Sequence, residues 1–101
     1  MCRHINLIVT GTVQRCGFRF LTLKRACELS VKGFVKYLDR RDAVYIEAEG
    51  EDDAVDSFLK FIKKGPPFSE VKSVEIHETE MKNFSTFEII KTNKHSVLQN
   101  A

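Results

Sequence analysis

The stretch Gly11-Thr12-Val13-Gln14-Arg15-Cys16-Gly17-Phe18-Arg19 joins two segments of different period. Before it, Ile5, Leu7 and Val9 alternate with His4, Asn6 and Thr10, which predicts a half-buried strand over 5–10. After it, Phe18, Leu21, Thr22, Ala26 and Leu29 recur at helical spacing with Lys24, Arg25 and Glu28 between them. That pattern predicts a helix over 20–29, ending near Ser30. A strand that turns through Gly11 and Gly17 into a helix aims several backbone N–H groups at one point. The positive end of the helix dipole adds to them, so the turn favours an anion. Arg19 stands at the helix mouth and offers a planar, two-toothed contact to phosphate or carboxylate. Spacing alone leaves two readings, a phosphate cradle or an ordinary strand-to-helix turn with a solvent-facing arginine.

Outward from this turn, 33–38 reads as a second strand, Asp39-Arg40-Arg41-Asp42 as a polar turn, and Val44, Ile46 and Ala48 as a third strand, together a hairpin. Glu51, Asp52 and Asp53 suit the positive end of a second helix. Its apolar face is Val55, Phe58, Leu59 and Ile62, and Lys63-Lys64-Gly65-Pro66-Pro67 closes it. Val71, Val74 and Ile76 suggest a fourth strand with an irregularity, since Val71 is out of phase with the other two. Phe84, Phe87 and Ile89 suggest a short fifth. The order β-α-β-β-α-β plus a last short strand is an α+β, ferredoxin-like split βαβ sandwich, with two helices on one face of an antiparallel sheet. Residues 1–91 are expected to form the domain and 92–101 a polar tail that frays.

At 101 residues the chain suffices for one compact domain and not for two. A net charge of +2 lacks the dense basic stripe that nucleic-acid binding by bulk electrostatics needs. No apolar run reaches the roughly 18 residues of a membrane span. Met1-Cys2-Arg3-His4 leads into a strand and does not read as a signal peptide. Three scattered cysteines, Cys2, Cys16 and Cys27, fit a reduced cytoplasm better than a disulfide scaffold, and none has zinc-ligand spacing. His4, His77 and His95 lack ligand spacing and read as ordinary surface or strand positions. Glu47, Glu49 and Tyr45 share one side of the third strand, read as its solvent face.

The chain resembles the acylphosphatase family over about 5–90. The signature of that family is a glycine, a valine-glutamine pair, a short loop and Phe-Arg after the first strand; here these are Gly11, Val13-Gln14 and Phe18-Arg19. Gly65-Pro66-Pro67 after the second helix is similar too. The resemblance implies hydrolysis of acyl phosphates to carboxylate and inorganic phosphate by direct attack of water, without metal or cofactor. It implies that the backbone N–H groups of Gln14, Arg15, Cys16, Gly17 and Phe18 hold the phosphoryl group together with Arg19. It further implies a small acyl phosphate as substrate and inorganic phosphate or sulfate as ligand; a monomer is expected, with no nucleic acid or membrane as partner.

Two positions depart from the family pattern. Arg15 stands where a glycine usually follows the Val-Gln pair, and Tyr37 stands where Gly33-x-Val35-x is usually followed by a water-orienting asparagine. A phenol offers one O–H donor in place of two N–H donors and a carbonyl acceptor, so turnover slower than the family's is expected. The alternative is a module of the same fold that binds phosphate, or a protein partner at a sheet edge, without hydrolysis. Cys16 allows two readings, a nucleophile activated by the helix end or a small buried side chain.

Overall fold

The computed structural model describes residues 1–91, so the expected tail at 92–101, with His95, lies outside the described residues. The elements are β1 (Cys2–Thr12), α1 (Phe18–Leu29), β2 (Lys32–Tyr37), β3 (Ala43–Glu51), α2 (Asp52–Lys64), β4 (Glu70–Thr79) and β5 (Phe87–Ile90). They form one five-stranded sheet in the order β4-β1-β3-β2-β5. β1 runs antiparallel to β3 and β4, and β2 antiparallel to β3. The expected sandwich with both helices on one face is present. The fifth strand refines it, because β5 lies parallel to β2 and makes the sheet mixed. Residues 80–86 carry the chain from one end of the sheet order to the other, and that crossing sets the parallel direction.

The period-2 pattern decides which residues face the helices. Ile5, Leu7 and Val9 of β1, Val44, Ile46 and Ala48 of β3 and Val35 of β2 are fully buried there. They meet Phe18 and Ala26 of α1, Val55, Phe58 and Ile62 of α2, and Phe87 of β5. α1 begins at Phe18, two residues earlier than the apolar spacing predicts, and ends on Ser30, whose N–H reaches the carbonyls of Ala26 and Cys27. The out-of-phase Val71 marks a β-bulge: the β1–β4 register slips between Thr10, paired with Ser73, and Gly11, paired with Val71. Gly11 is required there, since a Cβ would come within 2.0 Å of the Glu70 carbonyl oxygen.

The other sheet face corrects the sequence reading. Glu47 and Glu49 are 5% and 2% exposed and His4 is 1% exposed, because residues 80–86 cross this face and cover them. His4 Nδ1 lies 2.7 Å from Glu49 Oε2 and its Nε2 lies 2.8 Å from Glu47 Oε1. Glu49 also accepts the backbone N–H groups of Lys82 and Phe84, while Glu47 accepts from Lys82 Nζ and Tyr45 Oη. Phe84, expected within the fifth strand, precedes it. Its ring packs on His4 at 5.7 Å and edge-on to Phe34 at 5.8 Å. Polar side chains on an alternating strand read as solvated unless something covers them, and the covering segment is far away in sequence.

Burial pushes both glutamates up, yet their hydrogen bonds outweigh it and hold both carboxyls below the usual range. For Glu49 these bonds are to His4 and the Lys82 and Phe84 amides; for Glu47 they are to Tyr45, Lys82 and His4. A carboxyl with a folded pKa below its unfolded one contributes stability above the unfolded pKa and loses it as pH falls through the folded value. Stability should therefore be full near neutrality and decline below about pH 4.5. Glu49→Gln should cost on the order of 1–3 kcal/mol at pH 7 and show a shallower acid decline. Denaturant melts of both proteins from pH 7 to pH 2 check this, and parallel acid curves would refute it.

Candidate active site

The loop between β1 and α1 is suspended between two core anchors. Val13 and Phe18 are both fully buried, and between them the backbone belongs to neither the sheet nor the helix, with Arg15 and Gly17 exposed. Gly17 is the α1 N-cap, with φ 81° and ψ 9°, and no side chain caps the helix. A Cβ on Gly17 would meet nothing within 4 Å, so its need for glycine is conformational. No acidic residue stands in the first turn. The first intrahelical bond runs from Leu21 N–H to Gly17 carbonyl at 3.0 Å, leaving the Phe18, Arg19 and Phe20 amides without helical acceptors. This is the local geometry of an anion site at a helix start.

Arg15 has φ 62°, the left-handed region that a glycine would occupy without penalty. A non-glycine residue there costs of order 1–2 kcal/mol. Its backbone N–H donates to Tyr37 Oη at 2.7 Å. Tyr37 ends β2, and its ring carries the Arg19 guanidinium, with Cζ 3.8 Å from the ring centroid. Stacking holds the planar guanidinium by its face and leaves its N–H edges for an acceptor. Tyr37 thus touches both ends of the loop.

Gln14 has a structural task that its sequence context did not disclose. Its Nε2 donates to the carbonyls of Arg40 at 2.7 Å, Ala43 at 2.8 Å and Leu38 at 3.3 Å. With the bond from Gly11 N–H to Asp42 carbonyl, these bonds fasten the β2–β3 turn against the loop. Cys16 is half-buried against the core, and its thiol lies 3.8 Å from the Thr12 carbonyl.

Two depressions flank Arg15. One, of about 320 Å³, is lined by Arg15, Gly17, Arg19, Phe20, Tyr37, Ile89 and Lys91. The other, of about 190 Å³, is lined by Gln14, Arg15 and Arg41. The structure therefore gathers Arg15, Gly17, Arg19 and Tyr37 around one opening, with Phe18 serving as anchor and Cys16 turned toward the core. Sequence reasoning missed Arg41, Phe20, Ile89 and Lys91. Arg41 was legible only as part of a polar turn, and Ile89 and Lys91 arrive through the parallel pairing of β5.

Comparison with known proteins places the fold in a family. The acylphosphatase family model matches residues 5–89. An acylphosphatase of Archaeoglobus fulgidus is 44% identical over 86 residues, covering 84% of this chain and 94% of its own. One from Lactiplantibacillus plantarum is 41% identical over 88 residues, covering 86% and 97%. The crystal structure of acylphosphatase from Bacillus subtilis superposes with a TM-score of 0.82 at 34% identity, covering 89% of this chain and 99% of that one. The family match over residues 5–89 and these relatives show that the chain belongs to the acylphosphatase family.

Inorganic phosphate titrated into the labelled protein should move the amide resonances of Cys16 to Phe20 first and most, because the N–H groups of the first helical turn have no helical acceptor and face an anion at the helix start. Shifts confined to other parts of the chain would exclude an anion site in this loop.

Proposed function

We propose that this chain hydrolyses acyl phosphates to a carboxylate and inorganic phosphate. The observation that carries the reading is the conjunction of uncapped first-turn amides with Arg19 held flat on Tyr37 at one opening. The backbone N–H groups of Cys16 to Phe18, together with the Arg19 guanidinium, bind the phosphoryl oxygens, while the Arg15 N–H is held by the Tyr37 hydroxyl. Water attacks phosphorus on the face away from the acyl oxygen. The phosphorus–oxygen bond to the acyl group breaks, and its electron pair leaves with the carboxylate. Both hydrogens of the water stay with the phosphate product, so acyl phosphate dianion and water become carboxylate and dihydrogen phosphate. An acyl phosphate has a good leaving group, so position and charge stabilisation suffice without a strong general acid.

Tyr37 makes turnover slow in this reading. Its hydroxyl occupies the Arg15 amide and stands where an orienting carboxamide would be. The same bond favours a second reading, a module that binds phosphate without hydrolysing it. In either case the chain acts as a cytoplasmic monomer. The free thiols of Cys2, Cys16 and Cys27 support that compartment, and no described helix is long and apolar enough to cross a membrane.

Arg19→Ala should abolish turnover and weaken phosphate binding while leaving the fold intact, because Arg19 is half-buried at the opening and not part of the core. Arg19→Lys should also fail largely, since an ammonium cannot reproduce the two-toothed contact. Turnover assays with acetyl phosphate beside thermal melts check both, and a fully active variant would remove Arg19 from the site. Tyr37→Asn should raise turnover. A positioned donor is worth roughly 10²–10³ in rate, and the lost stacking on Arg19 returns about 2- to 5-fold of that, for a net gain near 10²-fold. A variant that binds phosphate and is slower than the parent would show that the phenol itself serves the reaction.

A further inference from the structure

The six arginines sort by position. Arg3 pairs with Asp56 and Glu78, Arg25 with Glu28, and Arg40 with Asp42. Among the described residues, Arg15, Arg19 and Arg41 meet no carboxylate, and all three line the two depressions at the anion loop. Arg19 stacked on Tyr37 serves the phosphoryl group, which leaves Arg15 and Arg41 as surplus positive charge on one side. Their proximity is built into the fold. Arg15 is held in the left-handed region, and the Gln14 side chain ties the turn that carries Arg41 to the loop. Two arginines that line one depression without a carboxylate partner of their own offer charge-assisted hydrogen bonds to an anion arriving there.

We propose that the Arg15–Arg41 depression receives a second anionic group on the acyl part of the substrate, so that acyl phosphates of dicarboxylic acids are preferred over those of monocarboxylic acids. This rests on the acyl phosphate reading of the neighbouring loop. The second carboxylate remains outside the reaction and changes no bond; it orients the acyl group while the phosphoryl group stays in the loop.

The test compares succinyl and glutaryl phosphate with butyryl phosphate, which resembles succinyl phosphate without the second carboxylate. The parent should show kcat/KM at least about tenfold higher for one of the dicarboxylic substrates, the range expected for a hydrogen bond to a charged group. Arg41→Ala should reduce that ratio to within about threefold, whereas Arg40→Ala, which removes the same charge from the same turn, should retain it. No preference in the parent overturns the proposal. So does an equal loss in the two variants, since that outcome reports only the general field of the protein. If the parent hydrolyses none of the three, the hydrolase reading fails separately, and calorimetry with 3-phosphonopropionate and propylphosphonate decides the second site. Tighter binding of 3-phosphonopropionate that is lost in Arg41→Ala and kept in Arg40→Ala supports it, and equal affinities refute it.

Discussion

The burial of Val13 and Phe18 at the two ends of a short loop is the constraint on which the site depends. Both side chains enter the core beneath α1, and the backbone between them must bridge the gap without regular hydrogen bonds. Gly17 absorbs the required left-handed turn and sets the direction of α1, and with it the direction of the helix dipole. Moving either anchor would move the amides, the dipole and Arg19 together. The loop geometry is thus a consequence of core packing and does not depend on long flexible side chains.

The strain at Arg15 is the local cost of this chain's own variation. Glycine would take the same φ without steric conflict, so the arginine remains there against a backbone preference. Tyr37 partly compensates by accepting the Arg15 amide and stacking beneath Arg19. The two departures from the family pattern are therefore in contact and form one coupled unit. Substituting either residue alone perturbs the partner of the other, so their effects are not expected to add.

The opposite sheet face carries a second polar arrangement with a different task. His4, Glu47 and Glu49 fasten residues 80–86, which deliver β5 to the edge of β2. β5 in turn brings Ile89 to the opening beside Tyr37. The buried cluster therefore supports the wall of the site from behind.

The sequence by itself determined the element order, the core face of each strand, both helices and the bulge at Val71, because each is written in local periodicity or turn chemistry. The strand-to-helix loop that ends at Arg19 was legible too, since its sequence is contiguous, and Val35 fixes the register that places Tyr37 at the end of the second strand. Tertiary structure alone decided the burial of His4, Glu47 and Glu49, whose bonds join residues 43 and 45 positions apart. It alone decided the parallel pairing of β5, the fastening of the 38–43 turn by Gln14, and the placing of Arg15 and Arg41 at one depression. Periodicity reports which way a side chain points relative to its neighbours in the chain. It carries no record of which distant segment comes to lie over that side chain, and burial, pairing and charge proximity are properties of that covering.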